Sequence, residues 1–90
     1  KEQTATSVLE AMRAGLPIIV SDSGSLPEIV GREDVVFRQR DYNQLAEKII
    51  LFYNNPELRN EVSKFNIERF TKYFNIIENA RKIENQIKDM

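Results

Sequence analysis

The chain has 90 residues, enough for one small domain, with 13 basic and 14 acidic residues and a formal net charge of −1. A balanced, mixed charge argues against a nucleic-acid-binding surface, which needs clustered basic residues. Cysteine and histidine are both absent, which excludes disulfides, thiolate metal sites and imidazole acid–base chemistry. No apolar run approaches the roughly 20 residues of a membrane helix, and no signal-peptide pattern is present.

The first third of the chain predicts a helix, a strand and a short helix. An apolar stripe with helical spacing predicts a helix over residues 4–14. The unbroken apolar run that follows is typical of a strand covered on both faces, which predicts a strand over 18–21. Pro27 at the start and Gly31 at the end indicate a short helix over 26–30.

The remainder predicts a second strand followed by three helices. The Val-Val-Phe run indicates a strand over 35–38. Asp41 with Gln44 resembles a capping box, and Asn75 opens the last helix in the same way. Caps and apolar periodicity together place the three helices at 41–53, 56–70 and 75–89.

Two of these helices carry apolar stripes of particular interest. The stripe of the first is Tyr42, Leu45, Ala46, Ile49, Ile50 and Tyr53. The stripe of the last is Ile76, Ala80, Ile83, Ile87 and Met90. The latter residues recur at alternating steps of four and three, a coiled-coil-like spacing over barely two heptads. A non-catalytic helical interaction module is therefore one alternative for the chain.

The order of elements predicts an α/β fold. Two strands joined through a helical crossover pair in parallel. Because a two-stranded sheet is not comfortably stable alone, we expect the strand at 18–21 to pair on its other side with a strand upstream of Lys1. The chain also begins directly in an amphipathic segment, so residues 1–90 are expected to be part of a larger domain.

The stretch from Glu2 to Val30 carries the most specific pattern. Glu2 and Glu10 are separated by seven residues. Glu10 is followed by Ala-Met-Arg-Ala-Gly-Leu-Pro-Ile-Ile-Val and then by Gly-Ser-Leu-Pro-Glu-Ile-Val. This order resembles the family 4 glycosyltransferases and their GT-B relatives, which carry Glu-x7-Glu, Glu-Ala-Met-Ala-x-Gly-x-Pro-Val-Val and Gly-Gly-x-x-Glu-Ile-Val in their C-terminal domain. The resemblance covers essentially the whole chain, although Ser25 replaces the second glycine.

The resemblance implies a fold and an activity. The chain would be the C-terminal part of a GT-B Rossmann-like donor-binding domain, with the acceptor domain and the start of this domain upstream. The intact enzyme would transfer a glycosyl (hexosyl) group from a UDP- or GDP-sugar to an acceptor hydroxyl with retention, in polysaccharide or glycolipid biosynthesis. It would need no metal and no cofactor beyond the nucleotide-sugar substrate. The 90 residues alone would be inactive.

The same resemblance assigns roles to residues at the start of the first helix. Glu2 would lie by the transferred sugar as the catalytic residue, and Glu10 would bind the ribose hydroxyls of the donor. The helix amino end at Thr4, Ala5, Thr6 and Ser7 would bind the diphosphate, because free N–H groups and the helix dipole favour an anion there. The alternative is that both glutamates are ordinary solvated residues of a surface helix.

Three further expectations concern partners and location. A nucleotide-sugar epimerase or phosphorylase on the same fold is a second alternative to the transferase. The chain without its upstream half is expected to self-associate, or to be ordered only within a larger assembly, since an open strand edge recruits another chain. We expect a cytoplasmic location, with contact at the membrane surface left open by the sequence.

Overall fold

The computed structural model describes residues 5–88, which form four α-helices around a two-stranded sheet. In chain order these elements are α1 (Ala5–Arg13), β1 (Val20–Ser21), α2 (Leu26–Val30), a 3-10 helix (Glu33–Val35), β2 (Val36–Phe37), α3 (Tyr42–Tyr53) and α4 (Pro56–Lys88). The predicted α/β class is confirmed. The ends of α1 and α2 agree with the predicted helices to within one residue. Helix α2 is followed directly by Gly31, and α1 by a turn that contains Gly15; both glycines have positive φ.

The two strands pair in parallel, as predicted from the helical crossover between them. The ladder consists of two residue pairs, Val20 with Val36 and Ser21 with Phe37. Both strands are shorter than the predicted ranges 18–21 and 35–38. The reason is the 3-10 helix Glu33–Val35, which the sequence patterns did not predict. Because these residues are not extended, Ile18 and Ile19 have no β2 residues to pair with.

The amino end of α3 is capped as predicted, but the helix presents a different face to the core. The Asp41 carboxylate accepts a hydrogen bond from the Gln44 backbone N–H at 3.0 Å. The Gln44 side chain does not complete a capping box, because its oxygen accepts from the Arg38 backbone N–H instead. Phe52 is the buried residue of α3, whereas five members of the predicted stripe are exposed: Tyr42, Ala46, Ile49, Ile50 and Tyr53.

The two helices predicted at 56–70 and 75–89 are one continuous helix, α4. Its start is as predicted, since the Asn55 side chain accepts from the Leu58 backbone N–H at 3.0 Å. Asn75 does not open a new helix. The segment before it contains neither glycine nor proline, and the Thr71 hydroxyl is accommodated inside the helix by donating to the Ile67 carbonyl. Nothing in this stretch therefore forces a break.

The core lies between α1, α2, α4 and the sheet. Its buried apolar residues are Val8, Met12, Val20, Leu26, Val30, Val35, Phe52 and Val62. One polar side chain shares this environment within residues 5–88, Asn66 on α4, which is 2% exposed. Its amide donates to the Leu16 carbonyl at 2.9 Å, so α4 is tied by a buried hydrogen bond to the turn that follows α1.

That turn approaches α4 closely. Gly15 has a φ of +75°, and a Cβ at this position would lie 2.8 Å from the Ile67 Cδ1 atom. Glycine is therefore required twice, by the left-handed backbone and by the contact. The turn after α1 is consequently fixed against the middle of α4 by Gly15 and Asn66 together.

Replacing Asn66 with alanine should destabilise the protein by roughly 1–3 kcal/mol, because the partly buried Leu16 carbonyl would lose its donor. Asn60→Ala is the matched control, since Asn60 is an exposed residue of the same helix. Chemical denaturation of both variants and the parent protein measures the difference. Equal stability of the two variants would show that the buried hydrogen bond contributes nothing to the fold.

Candidate functional site

The exposed face of α1 collects the polar residues that the sequence pattern singled out. Thr6 and Ser7 lie four and three residues before Glu10, a spacing that places all three on one face of a helix. All three are exposed, while Val8 and Met12 on the opposite face are buried. The packing of α1 on the core thus turns this polar face outward.

The structure describes only part of the predicted site. Glu2 and Thr4 lie outside the described residues, so their predicted roles stay predictions. Ala5 is exposed at the first described position of α1. Among residues 5–88, the Glu10 carboxylate has no hydrogen-bond or ion-pair partner, which leaves its acceptor oxygens available to a ligand.

The order of the helices and strands along the chain determines how α1 and α2 lie relative to the edges of the sheet. Helix α2 follows β1 and returns the chain to β2, so its amino end lies at the carboxyl edge of the parallel sheet. The turn after α1 and the end of α2 contact the same stretch of α4, through Asn66 and Arg69 respectively. The carboxyl ends of the two helices are therefore neighbours, and α1 runs toward the edge of the sheet where β1 begins.

The loop at residues 21–25 joins the carboxyl end of β1 to α2. Its Ser21 and Ser23 hydroxyls are hydrogen-bonded at 2.8 Å. Gly24 has a φ of +52°, and a Cβ there would meet no atom within 4 Å. This loop carries the glycine of the family-like pattern. It faces open space, in the position where parallel α/β sheets bind ligands.

A polar cleft of about 730 Å³ lies beside β2. Its lining includes charged side chains of both signs: Asp22, Glu28, Arg32, Glu33, Arg38 and Lys48. The loop after β2 closes onto the loop after β1, because the Gln39 backbone N–H donates to the Asp22 carboxylate at 2.9 Å. The exposed Arg38 guanidinium has no partner within residues 5–88, so an anion in this cleft would meet it first.

Arg32, in contrast, is committed to the structure. Its guanidinium donates to Asp34 at 2.8 and 3.0 Å and to Glu61 at 2.7 Å. It also lies over the Phe65 ring, 5.0 Å from the centroid. The hydrogen bonds to Asp34 and Glu61 raise the pKa of this guanidinium above its ordinary value. Arg32 therefore links the 3-10 helix to α4 and is not available to a ligand.

Two residues important for the site geometry were missed by the sequence analysis, Asn66 and Arg69. Arg69 donates to the carbonyls of Ile29 and Glu28 at the end of α2. A signal existed for Asn66, because it is polar yet lies four residues from the apolar Val62 and four from the apolar Phe70 in a predicted helix. No sequence signal distinguishes Arg69 from a solvated helix residue.

Two searches of the described residues concern other kinds of site. Within residues 5–88, no cluster of acidic side chains has the arrangement needed to hold a metal ion. In the same part of the chain, no helix has both the length and the apolar character needed to cross a membrane.

Comparison with known proteins identifies the family. The family model described as glycosyl transferases group 1 matches residues 1–69, which is more than half of the 90 residues. The protein belongs to the group 1 glycosyl transferases, and its class is that of enzymes that transfer a glycosyl group. No curated protein and no solved structure matches the chain.

Proposed function

We propose that this chain forms part of the donor-binding domain of a GT-B enzyme that transfers a sugar from a UDP- or GDP-sugar to an acceptor hydroxyl with retention. The observation that supports the proposal is the outward polar face of α1, with Thr6, Ser7 and Glu10, whose carboxylate has no partner within residues 5–88. This face belongs to the segment that matches the group 1 family. The upstream remainder of the enzyme would supply the acceptor side of the reaction.

The amino end of α1 suits a diphosphate. Backbone N–H groups in the first turn of a helix lack intrahelical acceptors, and the helix dipole adds positive potential there. Residues Ala5, Thr6 and Ser7 occupy this turn and are exposed. As the glycosidic bond to the diphosphate breaks, negative charge grows on the leaving oxygen. Oriented amides stabilise that charge without having to reorganise.

Glu10 suits the ribose. An ionised carboxylate offers only acceptors and takes hydrogen bonds from two vicinal hydroxyls at once. Glu10 lies one turn further along α1 than Thr6, so a nucleotide running along the helix would reach it after the diphosphate. Glu2, one further step toward the amino end, is proposed to contact the transferred sugar by the reacting carbon.

Changing Glu10 to glutamine in the complete enzyme should weaken donor binding by roughly 1–3 kcal/mol, the scale for losing charged hydrogen bonds. Glu47→Gln is the matched control, because Glu47 is an exposed glutamate on α3, away from the proposed site. Titration calorimetry with UDP- and GDP-sugars measures both. If Glu10→Gln binds donor as well as Glu47→Gln does, Glu10 is an ordinary surface residue.

Changing Glu2 to glutamine should lower kcat more than it weakens donor binding, since a contact made at the reacting centre is strongest in the transition state. Steady-state kinetics with analysis of the product and its anomeric configuration would measure this. Formation of an epimerised nucleotide sugar, or cleavage that requires phosphate, would replace the transferase proposal with an epimerase or a phosphorylase.

A further inference from the structure

We infer that Arg69 is a positioning residue for donor binding, acting through α2 on the loop at residues 21–25. This inference rests on the proposed function, because it assumes that the loop contributes to a donor site. Arg69 itself does not contact the donor in this account. It is the last residue of the family match and lies near the middle of α4.

The contact between Arg69 and α2 is made at the carboxyl end of that helix. The Nε atom donates to the Ile29 carbonyl at 2.8 Å, and the Nη2 atom donates to the Glu28 carbonyl at 2.6 Å. Carbonyls at a helix end have no intrahelical partner and carry partial negative charge. A guanidinium therefore satisfies both acceptors with one rigid, planar group.

The glycine that ends α2 makes room for this guanidinium. Gly31 has a φ of +69°, and a Cβ at this position would lie 2.4 Å from the Arg69 Cζ atom. A backbone hydrogen bond from Gly31 to the Pro27 carbonyl, 3.0 Å long, closes the helix. The close approach and the left-handed backbone both need glycine, so the end of α2 and Arg69 form one fitted unit.

Arg69 can affect the loop at the other end of α2 because this helix is short. Its five residues span only about 7.5 Å, so a shift at one end reaches the other undiminished. The buried Leu26 and Val30 hold α2 on the core, but apolar contacts are non-directional. The hydrogen bonds from Arg69 are directional. They fix where α2 lies along its axis, and thereby where Gly24 and its neighbours lie at the carboxyl edge of the sheet.

The chain contains a matched comparison for this contact. The Nη1 atom of Arg59 donates to the carbonyls of Phe52 and Tyr53, at 2.5 and 2.7 Å. These two carbonyls lie at the carboxyl end of α3. Arg59 and Arg69 are both half-buried residues of α4, yet α3 carries none of the proposed donor-site residues. The two arginines should contribute alike to stability and differ only in their effect on the donor.

The test compares Arg69→Gln, Arg59→Gln and Arg69→Lys in the complete enzyme, by thermal unfolding and by steady-state kinetics with varied donor. Both glutamine variants should lower Tm to a similar extent. Only Arg69→Gln should raise the donor KM, roughly tenfold, the scale of losing one hydrogen bond to the donor. Its kcat should change much less, as expected for lost ground-state binding. Arg69→Lys should have an intermediate donor KM, since an ammonium lacks the planar fork. If Arg69→Gln does not fold, Arg69→Lys is compared with Arg59→Gln in its place.

Gly31→Ala provides a second, independent route to the same displacement, because the new methyl group would push the Arg69 guanidinium away. Combined with Arg69→Gln, it should raise KM no further than the larger single effect, as residues of one contact are not additive.

An equal donor KM in Arg69→Gln and Arg59→Gln would overturn the inference and make Arg69 purely structural. Glu10→Gln is measured in parallel. An unchanged donor KM in Glu10→Gln would count against the proposed donor site, whatever Arg69 does.

Discussion

Two hydrogen-bonding side chains on α4 hold the ends of the segments on which the proposed site depends. Asn66 donates to the Leu16 carbonyl in the turn after α1, and Arg69 donates to the Ile29 and Glu28 carbonyls at the end of α2. The apolar core alone would tolerate small shifts of these helices along α4, since burial is non-directional. The polar contacts remove that freedom because each has one favourable geometry. The close approaches at Gly15 and Gly31 make the fit specific to these positions.

This arrangement explains why the functional face and the structural face of the unit are separate. The hydrogen bonds that Asn66 and Arg69 of α4 make lie at the carboxyl side of α1 and α2, where the backbone needs donors. The exposed Thr6 in the first turn of α1 and the open space around Gly24 before α2 lie at the opposite, amino side of the two helices. A helix amino end offers donors to a ligand, and its carboxyl end needs donors from the protein. In the proposed site, helix polarity would leave the amino ends to the diphosphate and the carboxyl ends to α4.

Features decided by neighbouring residues could be predicted from the sequence, and features decided by distant ones could not. The bounds of α2, the caps at Asp41 and Asn55 and the parallel pairing all follow from local signals or connectivity. The prediction of the buried face of α3 was wrong, because that face depends on where Phe52 meets the core. The prediction of two helices in place of α4 was wrong, because an Asn-x-x-Glu pattern marks a helix start only where something ends the preceding helix. In the site, exposure of Glu10 was predictable from its helical position, whereas the role of Arg69 depends on a residue forty positions away.

A structure of the complete enzyme with a bound UDP- or GDP-sugar tests the central claim most directly, namely that helix polarity turns the amino end of α1 toward the donor. The account predicts diphosphate oxygens within hydrogen-bond distance of the first-turn backbone N–H groups of α1, and ribose hydroxyls on the Glu10 carboxylate. A diphosphate bound by Arg38 in the polar cleft beside β2, with Glu10 left in solvent, would contradict it.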